Sequence, residues 1–150
     1  MKSRIVPDVV RDQKITLLPP TASVMDAVRA MAAKHVGAVV VGLDGRADGI
    51  FTERDLLMRV VARGLDPDST PVTRVMTADP ETVTPDQPAI DALNRMHERG
   101  FRHLPVVGAD GRVIGIVSIR DLNAFVRRQL EEELHQVESF IHDTGYGATA

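Results

Sequence analysis

Apolar positions along this chain form two kinds of run, and the order of runs repeats. Val24, Ala27, Val28, Met31 and Ala32 recur at helical spacing, whereas Ala38-Val39-Val40-Val41 is a continuous run of strand length and largely β-branched composition. A short apolar stretch, Ile15-Thr16-Leu17-Leu18, precedes the helix and is closed by Pro19-Pro20, since proline donates no ladder hydrogen bond. Thr21 or Ser23 can cap the helix, and Gly37 is its expected stop. Asp44-Gly45 predicts a hairpin turn, because glycine accepts the positive φ that such turns demand. The strand ending Gly49-Ile50-Phe51 follows, then a helix from Glu53 to about Arg63 that Gly64 ends. The first half reads β-α-β-β-α.

The second half replays that order after a turn-rich linker, Asp66-Pro67-Asp68-Ser69-Thr70-Pro71. Glu81-Thr82-Val83 is its short strand, Ala89–Arg99 its helix, and Gly100 the stop. His103–Val107 and Val113–Val117 are strands flanking an Asp110-Gly111 turn, and a long helix starts near Ile119. Asp26-Ala27-Val28 aligns with Asp91-Ala92-Leu93 at an offset of 65, whereas Gly49 aligns with Gly115 at 66. One residue is therefore inserted, near Gly108-Ala109. This internal repeat decides the expected organisation: lead-in 1–14, repeat one 15–65, linker 66–80, repeat two 81–128, extension and tail 129–150. Two halves of about sixty residues are each too small for a good core, so they should pack on each other.

Composition narrows the class. The chain has 150 residues, no cysteine and a formal charge of -3, so disulfides, thiolate metal sites and bulk-charge nucleic-acid binding are excluded. No apolar run is long enough to span a bilayer, and Met1–Pro7 lacks the apolar core of a signal peptide, so the cytoplasm is the expected location. Neither a phosphate-binding Gly-x-x-x-x-Gly-Lys-Ser/Thr loop nor a Gly-x-Gly-x-x-Gly fingerprint occurs, and no enzyme activity is expected. Five histidines invite a metal reading. His135 and His142 lie seven apart on one helical face, but without cysteine or a His-Glu-x-x-His pattern no metal is expected.

The candidate chemistry lies where a strand becomes a helix. Gly49-Ile50-Phe51-Thr52-Glu53-Arg54-Asp55 and Gly115-Ile116-Val117-Ser118-Ile119-Arg120-Asp121 share one pattern, and Leu follows each. Thr52-x-x-Asp55 and Ser118-x-x-Asp121 satisfy a capping box, which by itself requires no ligand. Helix N-termini at a sheet edge also favour anions, and helix stability alone does not call for Arg54 or Arg120 near the positive end of the dipole. A carboxylate repels phosphate at close range but suits paired hydroxyls. Hydroxyl, carboxylate and arginine together describe a ribose beside a phosphate.

These repeats resemble the CBS domain, on Gly49–Leu56 and Phe101-Arg102-His103-Leu104-Pro105-Val106 in particular, and the tandem resembles a Bateman module. The resemblance implies an α/β fold of two β-α-β-β-α repeats packed pseudo-symmetrically, commonly dimerised into a disc, binding adenosine derivatives in clefts between repeats. AMP, ADP, ATP, NAD or S-adenosylmethionine is the implied ligand, and no cofactor is required. It implies that Asp55 and Asp121 hold ribose hydroxyls, and that Thr52 and Ser118 contact ribose or phosphate. Ile15, Thr16, Thr82 and Val83 would line the adenine, and Arg102 and His103, ahead of Pro105, would meet phosphate. Gly37-Ala38-Val39-Val40 replaces Arg102-His103-Leu104-Pro105 in the first repeat, so the site at Ser118 and Asp121 is expected to be the stronger. The expected function is nucleotide sensing by a homodimer that signals to an effector protein, without nucleic acid or membrane. The alternative is a ligand-free interaction scaffold.

The last helix outruns its counterpart. Leu122, Val126, Leu130, Leu134, Val137 and Ile141 form a stripe over about 20 residues, roughly 30 Å. A partner chain is expected to cover its outer turns, with a dimer the expected assembly. The tail Gly145-Tyr146-Gly147-Ala148-Thr149-Ala150 is expected to fray.

Overall fold

The computed structural model describes residues 3–11 and 13–145, with side chains to residue 142. The tail from Tyr146 onward, expected to fray, lies outside them. In chain order the elements are a turn at Ile5–Val9, β1 (Leu17–Leu18), α1 (Val24–Lys34), β2 (Ala38–Val41), β3 (Gly49–Thr52) and α2 (Glu53–Asp55), which runs on as a wider π-type helix, Leu56–Val61. Then come α3 (Val72–Val75), β4 (Thr77–Ala78), α4 (Ala89–Arg99), β5 (His103–Val107), β6 (Val113–Ser118) and α5 (Ile119–Gly145).

In the first repeat β1 pairs parallel with β2, and β2, β3 and β4 are antiparallel neighbours. Val39, Val41 and Phe51 are buried against Val24, Ala27, Met31 and Val60. In the second repeat β5 and β6 form the hairpin, and Val83 makes a single parallel bridge to Val106 where the first repeat has β1. Its core gathers Val83, Ala92, Met96, Leu104, Val106, Val117, Leu122 and Phe125. The β5–β6 register shifts between Val106 and Val107, which leaves the half-exposed Ile114 of β6 without a partner residue on β5; this bulge follows the Asp110-Gly111 turn, whereas the inserted residue near Gly108-Ala109 precedes it.

Two local expectations change. α1 stops at Lys34 because His35 takes the left-handed conformation (φ 52) and its N–H returns to the last turn, so Gly37 is not the stop. Gly37 instead lies where a Cβ would come within 3.1 Å of the Glu53 carboxyl group. The linker is also more structured than its turn-rich sequence predicts: Val72 and Val75 of α3 enter the first core, and β4 extends the first sheet. Gly64 and Gly100 do adopt positive φ (68 and 76) just beyond their helices.

The lead-in segment belongs spatially to the second repeat. Ile5 and Val10 are buried in the second core, and Ile5 N–H and Val6 N–H donate to the carbonyls of Gln87 and Pro85. Its exit is held by Gln13, whose side-chain amide donates to the Ile116 carbonyl (3.1 Å) and accepts from Ile116 N–H (2.8 Å). Thr77 pairs with Ile50 at the corresponding place in the first sheet. Each repeat's final strand is therefore flanked by the chain that leads into the other repeat. That arrangement builds the clefts.

Candidate functional site

Both strand-to-helix junctions fold as capping boxes. Asp55 N–H donates to Thr52 Oγ1 (3.3 Å) while Thr52 N–H donates to Asp55 Oδ2 (3.0 Å). Asp121 N–H donates to Ser118 Oγ and Ser118 N–H to Asp121 Oδ2, both at 3.1 Å. Each box satisfies orphan first-turn donors and is worth about 1 kcal/mol. Beyond the box the two junctions diverge.

Asp55 is buried, and both of its carboxylate oxygens are engaged. Thr52 Oγ1 donates to Oδ2 at 3.1 Å, and the Arg59 guanidinium lies 3.5 Å from Oδ1. Arg59 also donates to the carbonyls of Val75 and Met76, and Arg54 reaches into the second repeat to the Gly100 carbonyl at 3.2 Å. The polar groups here hold the protein together. Asp121 is exposed, and its second oxygen has no partner among the described residues. The side chains of Arg120, Arg102 and Lys14 likewise make no hydrogen bond or ion pair among the described residues.

The larger cleft, about 750 Å³, opens at Ser118 and Asp121 and also exposes Ile15, Thr16, Arg102, His103 and Arg120. Seven of the expected site residues thus meet in one cavity, of a size that suits a small-molecule ligand. Lys14, Lys34 and His35, none of them an expected nucleotide contact, line it as well. Lys14 directly precedes Ile15, and Lys34 closes α1, but no motif marks either, and tertiary packing brings them beside the cleft. Four cations (Lys14, Lys34, Arg102, Arg120) face two carboxylates (Glu53, Asp121), a balance that favours anions.

The smaller cleft, about 450 Å³, opens at Thr52, Arg54 and Asp55. Pro80 and Glu81 line it where Ile15 and Thr16 line the other. Thr82 lies outside that wall, with its carbonyl taken by Arg95 at 3.0 Å, and Val83 is buried in the second core. Pro105 sits within β5, where its carbonyl accepts from Val83 N–H, and lines neither cleft. Three cations (Arg54, Arg59, Arg102) face four carboxylates (Glu53, Asp55, Asp79, Glu81), so this cavity opposes a phosphate.

The clefts share a wall made of Gly37, Glu53, Arg102 and His103. His103 is held below its ordinary pKa, chiefly by burial, with the carboxylates of Glu53 and Asp121 pulling upward and Arg102 adding to the lowering. Among the described residues no group of three or more His, Asp or Glu side chains could hold a metal ion, and no helix is long and apolar enough to cross a membrane.

A repeated α/β unit with paired inter-repeat clefts is the architecture of a tandem CBS pair. The chain belongs to the CBS-domain family, whose model matches residues 5–62 and 72–128. A CBS domain-containing protein of Arabidopsis thaliana is 40% identical over 117 residues, covering 78% of this chain and 21% of that one. The chain thus spans about a fifth of that relative's length. A solved protein with CBS domains from Burkholderia ambifaria superposes with a TM-score of 0.76 at 32% identity, covering 83% of this chain and 93% of that chain. A CBS domain protein from Pyrobaculum aerophilum, solved in complex with AMP, gives a TM-score of 0.68 at 30% identity over 76% of this chain and 86% of its own.

Proposed function

We propose that this chain is a regulatory module that binds an adenine nucleotide in the larger cleft and has no catalytic step of its own. One observation carries the reading: Ile15, Thr16, Ser118 and Asp121 converge in a single cavity with Lys14, Arg102 and Arg120, cations whose side chains have no partner among the described residues. In this reading Asp121 takes the ribose hydroxyls through its spare oxygen, and Ser118 and the N-terminus of α5 face the phosphate. Arg102, His103 and Arg120 neutralise it, and Ile15 and Thr16 flank the base. The AMP held by the Pyrobaculum relative supports this class of ligand.

The smaller cleft reads as structural, because Arg54, Arg59 and Asp55 already satisfy one another and the neighbouring carbonyls. Signalling would pass through the shared wall, where a ligand that draws Arg102 and His103 toward one cavity changes the other. Homodimerisation is part of the proposal, supported by the exposed apolar Leu57, Met58 and Val61 beyond α2.

Thermal-shift and calorimetric titration with AMP, ADP, ATP, NAD and S-adenosylmethionine test the reading. A ligand at 100 times its Kd stabilises the fold by about 2.7 kcal/mol. If none of the five raises Tm at millimolar concentration, the chain is a ligand-free scaffold. Sedimentation velocity at micromolar concentration tests the dimer, and a monomer there overturns it.

A further inference from the structure

α5 has two halves with different fates. Its inner half is packed: Leu122 and Phe125 are buried in the second core, and Ile119 and Val126 lie against it. Its outer half keeps the same apolar spacing with nothing packed beneath it among the described residues. Leu130, Leu134, Val137 and Ile141 are 59, 60, 54 and 60% exposed. Steps of four, three and four place these residues at alternating core positions of a heptad, the seam along which one helix packs on another.

The flanks of this seam carry one sign of charge. Glu131, Glu133 and Glu138 flank it, Glu132 lies on the outward face, and α5 has no Lys or Arg after Arg128. None of the four enters an ion pair among the described residues. In the heptad frame Glu131 and Glu138 occupy one flanking position and Glu133 the other. A second copy fits this pattern poorly. Parallel pairing sets Glu133 against Glu138 of the second copy, twice. Antiparallel pairing sets Glu131 against Glu138, or Glu133 against its own equivalent, depending on register. Like charges across a seam cost stability and select against the pairing. An anionic bilayer surface is opposed for the same reason.

We propose that the outer half of α5 is a docking helix for a basic amphipathic helix of another protein, with apolar residues on the seam and Lys or Arg on both flanks. This surface is the output face of the module, distinct from the nucleotide cleft, and the inference stands or falls independently of ligand binding.

The test uses the full chain and two three-heptad probe peptides with Leu at both core positions, one with Lys and one with Glu at the flanking positions. Fluorescence anisotropy at low salt is expected to show the Lys peptide binding on the order of 30-fold tighter, with the gap narrowing as salt rises. Leu134→Asp should abolish that binding and leave Tm unchanged, because the side chain is exposed. Equal affinity for the two peptides, or no binding of either, overturns the proposal. So does a sedimentation result in which Leu134→Asp turns a dimer into a monomer, since a second copy would then cover the seam.

Discussion

Asp55 and Asp121 occupy matching positions and make matching capping bonds, yet their neighbours give them different work. Removing the Asp121 carboxylate should weaken nucleotide binding by about 10- to 100-fold, the worth of charge-assisted bonds to ribose, with a small effect on Tm. Removing the Asp55 carboxylate should leave Thr52 N–H and Oγ1 without their acceptor and Arg59 without its ion pair, and cost about 2 kcal/mol in urea denaturation, while nucleotide affinity in the larger cleft stays the same. His103 adds a pH dependence. Its folded pKa lies below the unfolded value of 6.5, so its contribution to stability is complete above that value and is lost as pH falls through the folded pKa. A phosphate beside the ring would favour the imidazolium. Nucleotide binding near pH 6.5 should therefore take up protons, seen as a calorimetric enthalpy that changes with buffer, and His103→Gln should remove that uptake.

At the scale of elements, the sequence carried the repeat, both hairpin turns and both junctions because each rests on local chemistry. Asp44-Gly45 takes positive φ at both residues (55 and 79), and Gly111 takes it at 80. The end of α1 was not legible, since His35 bears the left-handed conformation that Gly37 was expected to supply. α3 and β4 were missed because Val72, Val75, Thr77 and Ala78 form too short a pattern to stand out, and only packing on the first repeat makes them regular. Half of the site was legible for a similar reason. Ser118 and Asp121 are fixed by one helix start, whereas Lys14 and Lys34 reach the cleft only through tertiary packing. The turn after β2 has its own weak point: a Cβ on Gly42 would lie 1.8 Å from the Arg46 carbonyl oxygen. That atom is backbone and cannot swing away, so Gly42→Ala should cost about 3 kcal/mol or more, measurable as a lower urea midpoint.

At the scale of the molecule, a nucleotide bound as proposed, from Ile15 and Thr16 of one repeat to Ser118 and Asp121 of the other, would stabilise the whole chain. Saturation at 100 times Kd should raise Tm by roughly 5–10 °C in a single cooperative transition. The interleaving of the two halves goes further. α3 precedes the second repeat but fills the first core, and Ile5 and Val10 precede the first repeat but fill the second. A chain cut between Asp79 and Pro80 would leave one piece holding all of the first core together with Ile5 and Val10, while the other piece would have a hole where those two side chains belong. The second piece should stay unfolded alone and gain helical circular dichroism when mixed with the first, and Ile5→Asp in the first should prevent the rescue. The short segment that opens the chain would then act as a plug, making this protein a candidate for fragment complementation.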